Sequence, residues 1–350
     1  MYRAAAAMSS PGRGSYPATR LAEETDFRCR SLAAALFDVE DPACVVFTSS
    51  ATHGLNIAIK TLVKPGCRVV ISGYEHNAVT RPLHGIPNVE LTVIDAPLFR
   101  PESMLAEFEQ ALDAGADAVI CTHVSNVFGY RLPAESIAAL CRRRGVPFVL
   151  DASQSAGMLP VSMRELGAAF IAMPGHKGLY GPQGTGLLLC GHEAQPLLEG
   201  GTGSQSLLQH MPQELPDHAE AGTQNVCGIC GLAAGLRFVR QQTPQRLLAH
   251  EIRLRRLLAS MLEDIPGSRL FTGEAQSGTL SLCAAQTDCE TLAARLASEG
   301  ICVRAGLHCA PLAHESAGTL ETGTVRFSLS AFNTEREILE SAKHIRSCLK

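Results

Sequence analysis

The sequence has no tryptophan, and aromatic residues fill only 5% of its 350 positions. It also lacks any apolar run near the roughly 20 residues that span a bilayer, so no membrane segment is expected. Basic blocks are scarce: the longest is Arg142-Arg143-Arg144, and the formal net charge is -4. No nucleic-acid partner is expected from such a balance. Only five of the thirty basic residues are lysines, which leaves few candidates for amine chemistry. Charged residues amount to 18% against 46% hydrophobic, enough to bury a sizeable core and to exclude disorder, collagen and disulfide scaffolds. Cysteine alone is plentiful. Thirteen are scattered without a framework, an odd number in a long chain, which points to reduced thiols and a cytoplasmic location. The start, Met1 to Met8, has an alanine run and one Arg but no secretory core, and reads as a ragged terminus.

The length suggests two domains, or one large α/β domain with an appendage. From about residue 43 to 190, short apolar runs alternate with helical patterns. Strands are expected at Val45 to Phe47, Arg68 to Ser72, Val89 to Ile94, Ala118 to Cys121 and Val146 to Leu150, with an apolar run at Ala168 to Met173. Helices are expected from Thr52 to Val63 and from Pro133 to Arg143, the latter ended by Gly145. Continuous apolar strands separated by helices argue a mostly parallel sheet covered on both faces. Gly200 to Pro216 reads as an exposed loop. Helices near Gly228 to Arg240 and Gln245 to Leu262 follow, then a strand at Thr279 to Cys283 and a helix at Glu290 to Glu299. Strands at Ile301 to Arg304 and Thr324 to Leu329 and a last helix from Thr334 complete a smaller α+β unit.

Catalytic groups in parallel sheets cluster beyond the carboxyl ends of strands. The most informative segment there is Gly175-His176-Lys177-Gly178, followed by Gly181, Gly184 and Gly186. A lysine held in such a loop suits a Schiff-base nucleophile if its amine is neutral, although a solvated surface turn reads equally well. Asp151 ends a strand and is placed to hold a pyridine nitrogen protonated, with Gln154 three residues on; simple capping is the plainer alternative. Ser49-Ser50-Ala51-Thr52 lies where a strand enters a helix, a place for a phosphate or for an ordinary serine cap. His76, in Glu75-His76-Asn77, is able to stack on a planar cofactor or to be a structural histidine, and Asn126 has the same ambiguity.

The second informative segment is Arg304-Ala305-Gly306-Leu307-His308-Cys309-Ala310-Pro311. A cysteine is nucleophilic only as thiolate, and Arg304 or His308 would raise that fraction. Arg326, inside an apolar strand, calls for an anionic partner such as a carboxylate. Cys227 and Cys230 have a metal-type spacing but no second pair, so core packing is preferred and no metal is expected.

Gly175-His176-Lys177, Asp151-Ala152-Ser153-Gln154, Glu75-His76-Asn77, Ala221-Gly222-Thr223-Gln224-Asn225 and the Arg304 to Pro311 run together resemble the class V aminotransferase family. The branch they resemble most is that of cysteine desulfurases and selenocysteine lyases, from about Ser10 to Asn333. The resemblance implies an α/β protein of pyridoxal-phosphate fold type I. It has a large domain, 12–238, with a mostly parallel seven-stranded sheet, and a smaller α+β domain, 239–350, with residues 1–11 packing near it. Pyridoxal 5'-phosphate is the implied cofactor, on Lys177, Asp151, Gln154, His76, His176, Ala51, Thr52 and Asn126. Thr223 would reach the phosphate of a second subunit's cofactor in a homodimer. Asn126, Arg304 and Arg326 would bind the substrate, and Lys177, Cys309 and His76 would be catalytic. The implied activity converts L-cysteine to L-alanine and leaves the sulfur on Cys309 as a persulfide for an acceptor protein. Selenocysteine lysis, another class V lyase or epimerase reaction, or a non-catalytic binding role are the alternatives. Two features depart from the family pattern. Pro174 stands where a hydroxyl residue usually precedes Gly-His-Lys, so a weaker hold on the phosphate is expected. Only Met1 to Ser9 precede the Ser10 to Gly14 region, where the family has a longer segment that closes over the site.

Overall fold

The computed structural model describes residues 1–12 and 14–349; Arg13, within the Ser10 to Gly14 stretch, lies outside the described residues. Seven short apolar strands build the larger sheet. They are β1 (Val45–Thr48), β2 (Arg68–Ser72), β3 (Glu90–Ile94), β4 (Ala118–Thr122), β5 (Phe148–Asp151), β6 (Phe170–Pro174) and β7 (Gly186–Cys190). Their order is β1-β7-β6-β5-β4-β2-β3. β7 runs antiparallel to both β6 and β1, and the remaining pairs are parallel. The expected mostly parallel sheet of seven strands is thus present. Its centre is buried on both faces, as the uninterrupted apolar runs require.

Helices α1 (Tyr2–Ala7), α2 (Pro17–Phe37), α3 (Ala51–Leu62), α4 (Asn77–His84), α5 (Pro101–Asp113), α6 (Ala134–Arg144) and α7 (Met163–Leu166) precede the last strands of this sheet or link them. Local chemistry sets their ends: Ser50 caps α3 through its side chain, and Gly145 stops α6 in the left-handed region at φ 67°. The expected ragged terminus is instead the helix α1, which packs against α8 (Val226–Gln242). Gly186, at the start of β7, must be glycine: a Cβ there would lie 2.7 Å from Thr48 Oγ1 and 3.0 Å from the Met173 carbonyl oxygen. That close approach seats β7 between the ends of β1 and β6.

A second sheet has the order β10-β9-β8, all antiparallel, from β8 (Ser268–Phe271), β9 (Thr279–Ala284) and β10 (Val325–Ser328). α9 (Pro244–Leu262), α10 (Cys289–Ser298) and α12 (Glu335–Cys348) share its apolar core, which includes Leu254, Leu280, Leu292, Val325 and Ile345; α11 (Pro311–Ala317) follows the Cys309 loop. Thr334 and Glu337 form a reciprocal capping box at the start of α12. The strand expected over Ile301 to Arg304 is absent. Only Arg304 pairs there, with Arg326, while Ile301 and Val303 spend their apolar side chains on the core. No helix among the described residues is long and apolar enough to cross a membrane.

One buried ion pair ties the approach to the site together. Arg30 of α2 holds both carboxylate oxygens of Glu220 at 2.7 and 2.6 Å and also donates to the Val45 carbonyl. Glu220 accepts from the Phe47 N–H at 2.5 Å and from Gln224 Nε2 at 2.9 Å. Such a fully bonded pair is tolerated in the interior, and breaking it from one side costs about 3–5 kcal/mol. Its position fixes the Ala221 to Asn225 loop against β1.

Candidate active site

The strand ends converge on a cavity of about 150 Å³. Lys177 and His176 line it from the loop after β6, Asp151 and Gln154 from the end of β5, and Asn126 from the loop after β4. Ala51 and Thr52 enter from the first turn of α3, and His76 from the corner after β2. Residues spread over more than a hundred positions of sequence therefore share one small space. A second cavity, of about 430 Å³, shares Gln154, His176 and Lys177 with the first and adds Arg326 and Glu251. Thr223 lines a third, of about 500 Å³, with Ser50 and Thr52.

The lysine side chain is half-buried, and desolvation pulls its pKa below the usual amine range. The negative charge of Asp151 opposes that shift, and the positive charge of Arg326 adds to it. Asp151 is 2% exposed; its Oδ1 accepts from the Ser153 N–H at 2.9 Å, and no cation pairs with it among the described residues. An amine and a carboxylate thus face one cavity without closing on each other. His76 accepts from the Ala78 N–H through Nδ1 at 3.0 Å, which fixes its ring and leaves the proton of the neutral imidazole on Nε2. Burial and the nearby cations Lys177, Arg81 and Arg326 lower its pKa, against the pull of Asp151. Burial and the Lys177 charge likewise lower His176. Ser50 behaves as a helix cap, its hydroxyl accepting from the His53 N–H at 3.2 Å.

The Cys309 loop is tied to the same cavity through its backbone. The His308 carbonyl accepts from Asn126 Nδ2 at 2.8 Å, and the Cys309 carbonyl accepts from the Asn77 N–H at 2.7 Å. Both residues sit in the left-handed region, at φ 52° and 57°, a conformation that costs non-glycine residues of order 1–3 kcal/mol and needs such restraint. Cys309 itself is exposed. His308 does not serve as a cation beside it, because burial, helped by Arg326, pushes its pKa down to about 3. The guanidinium that senses the Cys309 sulfur is that of Arg326. Arg326 donates from Nη1 to the Asn126 carbonyl at 2.8 Å, while its Nε is buried without a partner. Arg304 pairs with Arg326 through their backbones, and its charge lowers the Arg326 pKa; its side chain is exposed and lines neither cavity at Lys177.

Two groups at the site had no role assigned from the sequence, although Glu75 stands in the Glu75-His76-Asn77 motif. Glu75, fully buried behind the cavity, accepts from the Thr122 N–H at 2.7 Å and from Ser72 Oγ at 2.5 Å, and burial pushes its pKa up to about 8. Glu251, from α9, lines the cavity at Lys177 and is likewise raised to about 8 by burial. Each joins the site only through tertiary packing. Cys227 and Cys230 lie half-buried in the first two turns of α8, which packs on α2.

Residues 4–340 match the family model described as Aminotransferase class-V. The chain belongs to that family. Among class V relatives, a probable cysteine desulfurase of Methanothermobacter thermautotrophicus is 31% identical over 346 residues, covering 94% of this chain and 85% of the relative. Another, from Mycolicibacterium paratuberculosis, is 34% identical over 307 residues, which is 84% of this chain but only 44% of that relative's length. The apo structure of a cysteine desulfurase from Thermococcus onnurineus NA1 matches with a TM-score of 0.90 at 28% identity, over 97% of this chain and 88% of that one. The class V assignment thus rests on sequence and fold together.

The Asn126 amide is the direct link between the cavity and the cysteine loop. Replacing Asn126 with Ala removes the donor to the His308 carbonyl. The alkylation rate of Cys309 by iodoacetamide, followed on its own peptide by mass spectrometry, is expected to rise several-fold. An unchanged rate would contradict the idea that this amide holds the loop.

Proposed function

We propose that the protein is a pyridoxal-phosphate-dependent cysteine desulfurase that converts L-cysteine to L-alanine and takes the sulfur onto Cys309. One observation carries the reading. A half-buried lysine with a lowered pKa shares a cavity with an unpaired buried carboxylate and a ring-fixed histidine, and a cysteine loop is tethered to the same walls. The named relatives support the substrate. The donor set fits the cofactor. Lys177 offers the amine for its aldehyde, Asp151 the carboxylate for its ring nitrogen and Gln154 an amide for its ring oxygen. The His76 ring offers a flat face, and Thr52, His176 and the first amides of α3 suit its phosphate. When bound, the cofactor supplies an electron sink for the bond to the substrate's Cα proton.

The chain's own groups do the rest. A lysine amine with a lowered pKa exists in part as the free base, able to act as nucleophile and then as base toward the Cα proton. Arg326, with its unpartnered Nε, offers its fork to the substrate carboxylate, and Asn126 stands beside it. The Cys309 thiolate attacks the substrate sulfur: a sulfur–sulfur bond forms, the carbon–sulfur bond breaks, and the carbon takes a proton to become alanine. The reading extends to a homodimer in which Thr223 approaches the second subunit's cofactor, to an acceptor protein that collects the sulfur from exposed Cys309, and to the large and small domains at 12–238 and 239–350. The thirteen unpaired cysteines support a reducing, cytoplasmic setting.

Two outcomes test this function. Cys309→Ser should abolish alanine formation from L-cysteine while the visible cofactor band remains; full alanine production by the variant would contradict it. Pro174, buried at the end of β6, lines the cavity without a hydroxyl or an N–H. Pro174→Ser should tighten pyridoxal phosphate binding to the apo-protein by about tenfold, the equivalent of one to two hydrogen bonds. Unchanged affinity in the titration would show that the other hydroxyls of the cavity already suffice.

A further inference from the structure

Arg255 of α9 is 3% exposed, and buried cations normally have an anionic partner. This one has none. Its Nη1 donates to the neutral Gln276 Oε1 at 2.6 Å, and its Nε is buried without a partner. Gln276 has nothing more to offer: its Nε2 donates to the carbonyls of Phe128, Phe271 and Thr279, and its Oε1 also accepts from the Gly273 N–H. No carboxylate lies within pairing distance of Arg255, Arg256 or Arg131 among the described residues. The cost shows in the electrostatics. Burial, with the like charges of Arg256 and Arg131, pushes the Arg255 pKa down to about 10, and no acid counters them. Arg131 also keeps a buried Nε without a partner.

Arg255 and Arg256 line one cavity of about 600 Å³ beside β8, together with the hydroxyl residues Ser260, Ser268 and Thr272. The cavity shares no residue with those at Lys177. The Arg256 guanidinium, the part of the Arg255 guanidinium not engaged by Gln276 and the neighbouring hydroxyls match a dianion with several acceptor oxygens better than a single carboxylate. The volume exceeds that of a bare phosphate and leaves room for an organic part. Glu263 and Glu274 also line the cavity; both are exposed and oppose an anion less than the buried cation favours it. We propose that this pocket binds a small phosphomonoester, with its phosphate on the Arg255 and Arg256 guanidinium groups.

The test uses the full chain loaded with pyridoxal phosphate and then freed of unbound cofactor by gel filtration, so that the cavity at Lys177 is filled and no free pyridoxal phosphate, itself a phosphomonoester, competes for the pocket. Glycerol 3-phosphate and inorganic phosphate are titrated calorimetrically at constant ionic strength. Saturable binding of the ester is expected, tighter than that of inorganic phosphate. Arg256→Gln, at an exposed position that leaves the core intact, should weaken it about tenfold or more. Glu263→Gln should tighten it by removing a like charge. Absence of saturable binding, equal affinity in the wild type and Arg256→Gln, or inorganic phosphate binding as tightly as the ester would each overturn the assignment.

Discussion

The site depends on keeping one amine partly out of water without giving it a carboxylate to hold. Lys177 is half-buried, and Asp151 lies near enough to be felt but is not paired with it. A closed ion pair would have fixed the ammonium form and removed the nucleophile. Full exposure would have done the same, because a solvated lysine is protonated near neutrality. The glycine-rich path enforces the intermediate condition. A Cβ on Gly178 would meet the Ala156 carbonyl oxygen at 2.4 Å, so the loop lies directly on the turn that follows Asp151.

The sheet supplies the second constraint. Parallel β4, β5 and β6 end at one edge, and reversed β7 begins there, so Asp151 and the loops that carry Asn126 and Lys177 open onto a common space. The smaller sheet reaches this edge through Arg326, whose Nη1 holds the backbone of Asn126, while the Asn126 side chain holds the backbone of His308. A short chain of hydrogen bonds thus joins the proposed carboxylate clamp to the proposed sulfur acceptor. Coupling of that kind holds the backbone of the cysteine loop while the Cys309 side chain stays exposed.

Much of this was legible in the sequence because the signals are local. Apolar runs marked β1 to β6, Gly145 and Thr334 marked helix ends, and the glycines around Lys177 marked an unusual loop. β7 escaped because its four apolar residues follow that glycine-rich loop without a separate turn. Ile301 to Arg304 misled because its apolar residues serve packing, not a ladder. Adjacency to Cys309 offers Arg304 or His308 as its cation, whereas burial leaves His308 neutral and the Arg304 side chain is exposed; the buried guanidinium whose charge interacts with Cys309 belongs to Arg326, seventeen residues beyond the cysteine. Glu75, Glu251 and Arg255 act through burial, which no short window of sequence reveals.

The central claim is a covalent one and is open to direct reading. The protein is incubated with pyridoxal phosphate, reduced with borohydride, digested and mapped by mass spectrometry. The account predicts that the reduced cofactor mass sits on Lys177 and disappears in Lys177→Ala. Recovery of that mass mainly on Lys60, Lys64 or Lys343, or on no lysine at all, would contradict it.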